Sequence, residues 1–122
     1  MVIGVYGLGR FGAFWAETLS YRFVVKGYSR NPERTAGGRV QRVDEDEVLS
    51  CDALFLCVSI SAMEEVCRRI GSRLFPETVV FDTCSVKVHP VRVMSENLPA
   101  KTPIVGTHPM FGPDSGKNGI NG

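Results

Sequence analysis

The chain has little histidine and little tryptophan, two of the first and one of the second among 122 residues. It has no excess of either charge: 14 basic residues stand against 13 acidic ones, a net +1 that gives no reason to expect nucleic acid or an anionic membrane as partner. No apolar run approaches the length of a membrane span. Met1 leads straight into the strand-like V-I-G-V-Y-G, with no basic segment and no cleavage site, so no signal peptide is expected. The four cysteines, Cys51, Cys57, Cys67 and Cys84, form no C-x-x-C, and three sit inside apolar runs. That pattern favours buried thiols in a reducing cytoplasm over disulfides, and no metal site is expected. Internal repeats and low-complexity tracts are missing too. What remains is one domain's length of ordinary globular composition, enough to bury roughly 65% of its unfolded surface.

What the sequence does have is glycine, 13 of them, placed between short apolar runs. Val2 to Tyr6, Phe23 to Tyr28, Val40 to Val43, Asp52 to Ser59, Glu77 to Asp82 and Pro103 to Thr107 read as six strands. Between them, Arg10 to Leu19, Asp44 to Ser50, a segment from Ser61 to about Leu74, and His89 to Asn97 read as helices. Phe11, Phe14, Trp15 and Leu19 would form the apolar face of the first helix. Ser61 would cap the third, with Glu64 as its capping-box partner. The acidic run at 44–47 would supply the negative first turn of the second. Strands alternating with helices imply an α/β fold: a single domain over residues 1–122 with a doubly wound, mostly parallel sheet of about six strands. Such folds bind ligands beyond the carboxyl ends of their strands.

Gly7-Leu8-Gly9-Arg10-Phe11-Gly12 is G-x-G-x-x-G, and it lies between the first strand and the first helix, as dinucleotide binding requires. Gly7 allows a tight turn, Gly9 lets the backbone approach a pyrophosphate, and Gly12 lets the helix pack closely on the strand. The bland alternative is a glycine turn with no ligand. An NAD site usually carries Asp or Glu about 20 residues on, at the end of the second strand. Here that strand ends in Ser29-Arg30, with Arg34 a short loop further. A hydroxyl beside guanidinium groups suits a 2′-phosphate, so NADP is expected over NAD. The alternative is that Arg30 and Arg34 are ordinary surface charges. Cys57, Val58 and Ser59, after the fourth strand, would wall the same cleft.

Ser85 and Lys87 follow the fifth strand and His108 follows the sixth, which the doubly wound order places on the nicotinamide side. Oxidising a carbinol needs a base for the hydroxyl proton, and an imidazole with an ordinary pKa of about 6.5 suits that role. Pro109 stiffens the chain next to His108. Ser85 could orient the imidazole, bond the substrate, or merely cap a helix. Lys87 could attract an anionic substrate or face solvent. His89, beside Pro90 at a helix start, has no comparable setting.

With G-L-G-R-F-G at Gly7–Gly12, D-T-C-S-V-K at Asp82–Lys87 and G-T-H-P-M-F-G-P-D-S-G at Gly106–Gly116, the sequence resembles the prephenate/arogenate dehydrogenase family of tyrosine biosynthesis. The resemblance covers nearly the whole chain but only the amino-terminal half of a typical member. It implies that His108 takes the proton of the substrate's ring hydroxyl while hydride passes to the nicotinamide and carbon dioxide is lost. Ser85 matches a serine that helps hold that histidine. Gly7, Gly9 and Gly12 match the dinucleotide loop, and Ser29 and Arg30 fall where NADP-preferring members place such residues. Lys87 matches a family lysine with no assigned role. Members also have a carboxy-terminal helical domain that makes a homodimer and completes the pocket for the small-molecule substrate. By that resemblance, the isolated chain is expected to bind NADP but turn over little. Its cut edge would expose apolar surface and invite self-association. Two other functions fit less well. A non-catalytic NADP-binding module would have no use for Ser85 and His108, and the H-P-M-F-G-P run argues against an NADP-dependent dehydrogenase or reductase with another substrate.

Overall fold

The computed structural model describes residues 1–83 and 88–106. Six strands, β1 (Val2–Tyr6), β2 (Val24–Tyr28), β3 (Gln41–Arg42), β4 (Ala53–Leu56), β5 (Val79–Asp82) and β6 (Ile104–Gly106), alternate with helices α1 (Arg10–Ser20), α2 (Glu45–Leu49), α3 (Ile60–Ile70) and α4 (Val88–Asn97). They form one sheet in the order β3-β2-β1-β4-β5-β6, parallel at every pairing. The chain winds outward from β1 to β3, then crosses back to β4 and winds the other way. The reversal between β1 and β4 opens a crevice at their carboxyl ends.

Register lines that edge up. Tyr6 pairs with Tyr28 and Leu56, Leu56 with Asp82, and Asp82 with Gly106. The residues that leave β1, β2, β4 and β5, namely Gly7, Ser29, Cys57 and Thr83, therefore start from one level. A side-chain period of two splits the core into two layers. Tyr6, Leu54, Leu56 and Val80 pack with Val48, Met63, Val66, Ile70 and Met94 from α2, α3 and α4. Ile3, Val5, Val25 and Ala53 pack with Leu8 and with Ala16 of α1.

The buried face of α1 differs from the aromatic face expected from the sequence. Gly12, Ala16 and Ser20, spaced four apart, are its buried residues, whereas Phe11, Phe14, Trp15 and Leu19 are half-buried. Small residues let the helix axis come close to the strands, and the rings spread to the side. Trp15 meets Phe55 edge-on at 5.6 Å between ring centroids, and Phe55 stacks on Phe81 at 4.6 Å. The start of α3 also differs. Ser59 is its N-cap position, and its hydroxyl pairs with that of Ser61 at 3.1 Å instead of capping the helix. Glu64 turns to Arg68, one turn on, at 3.0 Å. The acidic start of α2 is as expected: the Asp44 carboxylate accepts the Glu47 N–H at 2.9 Å.

Candidate dinucleotide-binding site

Gly7 and Gly12 fix the turn after β1, and no larger residue could replace either. Gly7 has φ of 109°, and a Cβ there would lie 2.4 Å from the Cys57 carbonyl oxygen. Its N–H donates to the Tyr28 carbonyl at 2.8 Å, tying the turn to the end of β2. A Cβ on Gly12 would lie 1.8 Å from the Gly7 carbonyl oxygen, so α1 rests directly on the turn. No side chain among the described residues caps α1. Its first turn thus brings backbone N–H groups and the positive end of a helix dipole to the carboxyl edge of the sheet.

A groove of about 360 Å3 opens there. Gly7, Leu8 and Gly9 form one wall, and Cys57, Val58 and Ser59 another. Ser29, Arg30 and Arg34 close the end above β2. Nine of the residues that the sequence suggested for cofactor binding thus meet around one cavity. Arg10, Phe11 and Gly12 sit in the first turn of α1, outside the described lining. That lining holds no Asp or Glu. A larger open groove of about 530 Å3 lies between α3 and α4, but no residue of the glycine turn lines it, and Arg92 and Glu96 on its wall pair with each other.

The polar end of the smaller groove suits an anion. Ser29 is buried, and its oxygen accepts the Asn31 N–H at 3.3 Å, which leaves its O–H to donate. Arg34 reaches back over the glycine turn, with Nη1 3.2 Å from where a Cβ on Gly9 would sit. Arg30 pairs across the groove mouth with Glu65 of α3 at 3.5 Å; both side chains are exposed, and such a pair opens at little cost. The dinucleotide loop, the bare helix start and this cationic end fit the phosphates of a dinucleotide.

Ser85, Lys87 and His108 lie outside the described residues. Thr83, at the end of β5, donates to the Leu56 carbonyl at 3.2 Å. Burial pushes the Cys51 and Cys67 thiols up to about 11 and about 12, which keeps them protonated and inert. Among the described residues no group of three His, Cys, Asp or Glu could hold a metal ion. Nor is any described helix long and apolar enough to cross a membrane.

Two features escaped the sequence reading. Glu45, in the acidic first turn of α2, is buried. It accepts Arg69 Nε at 2.8 Å and Nη2 at 2.9 Å, Arg73 Nη1 at 2.6 Å and the Tyr6 hydroxyl at 2.5 Å. The Arg69 guanidinium, helped by Tyr6 and Arg73, holds its carboxyl down to about 2 against the pull of burial. Burial and then Glu45 push the Tyr6 hydroxyl up. The second feature is Arg42, whose contacts reach the groove only through the backbone. Its strand is too short to leave a periodic signal.

A glycine turn beneath an uncapped helix, at the point where a parallel sheet of this order reverses, defines a dinucleotide-binding domain of the Rossmann class. The family model described as the prephenate dehydrogenase nucleotide-binding domain matches residues 18–121, and the chain belongs to that family. The matched span starts beyond the glycine turn, so the turn is independent support. Arogenate dehydrogenase 1, chloroplastic, of Arabidopsis thaliana is 36% identical over 126 residues, covering 98% of this chain and 20% of that protein. The chain spans from a fifth to little over a third of the two Arabidopsis relatives it matches. Synechocystis arogenate dehydrogenase has the same fold at a TM-score of 0.74 and 28% identity, over 89% of this chain and 41% of that one. Prephenate dehydrogenase from A. aeolicus, solved with hydroxyphenyl propionate and NAD+, matches with a TM-score of 0.73 at 22% identity, over 90% of this chain and 42% of that one.

Proposed function

We propose that this chain is the cofactor-binding half of an NADP-preferring dehydrogenase that oxidatively decarboxylates prephenate or arogenate on the route to tyrosine. The observation that carries the cofactor choice is the end of the groove above β2, where Ser29, Arg30 and Arg34 converge and no carboxylate lines the wall. A 2′-phosphate would accept from the Ser29 hydroxyl and from guanidinium groups, whereas a carboxylate would repel it. Bound NADP supplies the hydride acceptor. The chain's own residues bind and orient it: the turn at Gly7–Gly9 and the start of α1 hold the pyrophosphate, and Cys57, Val58 and Ser59 wall the cleft. The substrate, an anionic cyclohexadienol, loses a proton from its ring hydroxyl to His108, which Ser85 orients. Its pocket is completed by a helical domain that also forms the homodimer, as in the family the sequence resembles. A reducing cytoplasm suits thiols buried as Cys51 and Cys67 are.

The reading predicts that this chain alone binds NADP and turns over little. Joined to a helical domain of the family, it should reduce NADP+ in the presence of prephenate or arogenate, followed by absorbance at 340 nm. In that form His108→Ala should lower kcat by roughly 10²–10⁴-fold and leave NADP+ affinity within about twofold. A rate close to wild type would remove His108 as the base.

A further inference from the structure

The loop at residues 29–34 carries all three side chains that form the cationic end of the groove, yet it lies between β2 and β3, outside any strand or helix. Its own bonds are short-range: Asn31 N–H to Ser29 Oγ at 3.3 Å, Glu33 N–H to Asn31 Oδ1 at 3.0 Å, and Arg34 N–H to the Asn31 carbonyl at 3.1 Å. One side chain from outside joins its parts. Arg42, on β3, donates from Nη2 to the Ser29 carbonyl at 2.7 Å and at a longer 3.4 Å to that of Asn31. Its Nε donates to the Arg34 carbonyl at 3.1 Å, and Nη1 to the Val43 carbonyl at 2.8 Å. The guanidinium carbon lies 5.5 Å from the centre of the Tyr28 ring, and that ring packs on Tyr6 at 5.1 Å. The pairing of Gly27 with Arg42 sets the register that delivers the fork to the loop.

We infer that Arg42 is a specificity-determining positioning residue: it sets the distance between Ser29 and Arg34, and thereby the preference for a phosphorylated adenosine ribose. The inference rests on the proposed NADP reading and adds a residue that does not itself line the groove. Three properties of arginine make it work. The planar fork reaches the start, middle and end of the loop at once, as the point-like ammonium of lysine could not. Charge-assisted bonds to carbonyls are stronger than neutral ones. The Tyr28 face fixes the plane of the guanidinium from below. Without the fork, Ser29 and Arg34 stay in the loop with their charge and hydroxyl intact, but the bonds that tie their backbones to one guanidinium are lost. Arg30, paired with Glu65, and the exposed Glu33 stay in place and do not substitute for it.

The test is a titration of the full 122-residue chain with NADP+, NAD+, 2′-AMP and 5′-AMP, in wild type, Arg42→Lys, Asn31→Gly and the double variant, with melting temperatures alongside. Arg42→Lys keeps the charge and removes the fork. The expected result is about a tenfold loss of affinity for NADP+ and 2′-AMP, with NAD+ and 5′-AMP within about twofold. Asn31→Gly, which loosens the same loop with no change of charge, should lose affinity in the same direction. The double variant should lose less than the product of the two single losses, because both act through one loop. If Arg42→Lys binds NADP+ like wild type, the contribution is charge alone and the inference falls. An equal loss for all four ligands, or a melting temperature that collapses in both single variants, makes Arg42 a general structural residue and also overturns it. A wild type without NADP+ preference overturns the underlying reading and the inference together, whereas a wild-type preference that survives Arg42→Lys overturns the inference alone.

Discussion

Two glycines three positions apart do different work, and a single methyl group separates the roles. At Gly12 an added Cβ meets the rigid backbone of Gly7 at 1.8 Å, whereas at Gly9 it meets only the end of the flexible Arg34 side chain at 3.2 Å. Gly12→Ala should therefore destabilise the fold by about 3 kcal/mol or more, read as a lowered urea midpoint. Gly9→Ala should leave that midpoint nearly unchanged and weaken cofactor binding, because the methyl group occupies the approach of the pyrophosphate. If both variants unfold alike, the turn is purely structural. Glu45 gives a second prediction at this scale. Its folded carboxyl titrates near 2, below its ordinary 4.5, so its contribution is complete above about pH 4.5 and is lost as the pH falls from there toward 2. Glu45→Gln should cost about 2 kcal/mol at neutral pH, less than a fully buried pair because Arg69 and Arg73 stay partly hydrated. It should also flatten the acid limb of the stability curve. An acid limb as steep as that of wild type would assign the titration to other groups.

Elements were legible in the sequence wherever a period or a glycine marked them. The apolar runs at Val2–Tyr6 and Ala53–Leu56 are buried strands, and the glycine turn sits between strand and helix as its spacing requires. Which face of α1 packs was not legible. Aromatic residues carry the most apolar area, but a helix seated on a glycine turn must present small residues to come close enough. The cap of α3 was missed by two residues because two serines compete for it and bond each other. The burial of Glu45 was not legible, because an acidic helix start looks the same in sequence whether or not arginines lie above it. Arg69 and Arg73, one turn apart at the end of α3 and in the turn that follows, were the visible half of that cluster. The seating of α1 is testable. Ala16→Leu should cost about 1–3 kcal/mol by wedging the helix off Val5 and Val25, and Phe14→Ala should cost less, in urea melts of the two variants. The reverse ranking would restore the aromatic face as the packed one.

For the molecule as a whole, the sheet order and the alignment of strand ends put the glycine turn, the loop at 29–34 and the turn at Cys57–Ser59 around a single groove. That juxtaposition was foreseeable from the alternation of strands and helices, because a right-handed doubly wound sheet leaves one edge for all of them. The Ser85 and His108 readings concern residues outside the described ones and rest on the sequence. The cofactor reading rests on both, and it depends on charge: side chains as exposed as Arg30 are screened by salt, so the preference should shrink between low and high ionic strength. The most direct measurement is the dissociation constant of the 122-residue chain for NADPH and for NADH under identical buffer, followed by nicotinamide fluorescence. NADPH should bind about tenfold or more tightly, and Arg30→Ala should erase most of that difference. Equal affinity for the two cofactors would contradict the assignment of Ser29, Arg30 and Arg34 to a 2′-phosphate.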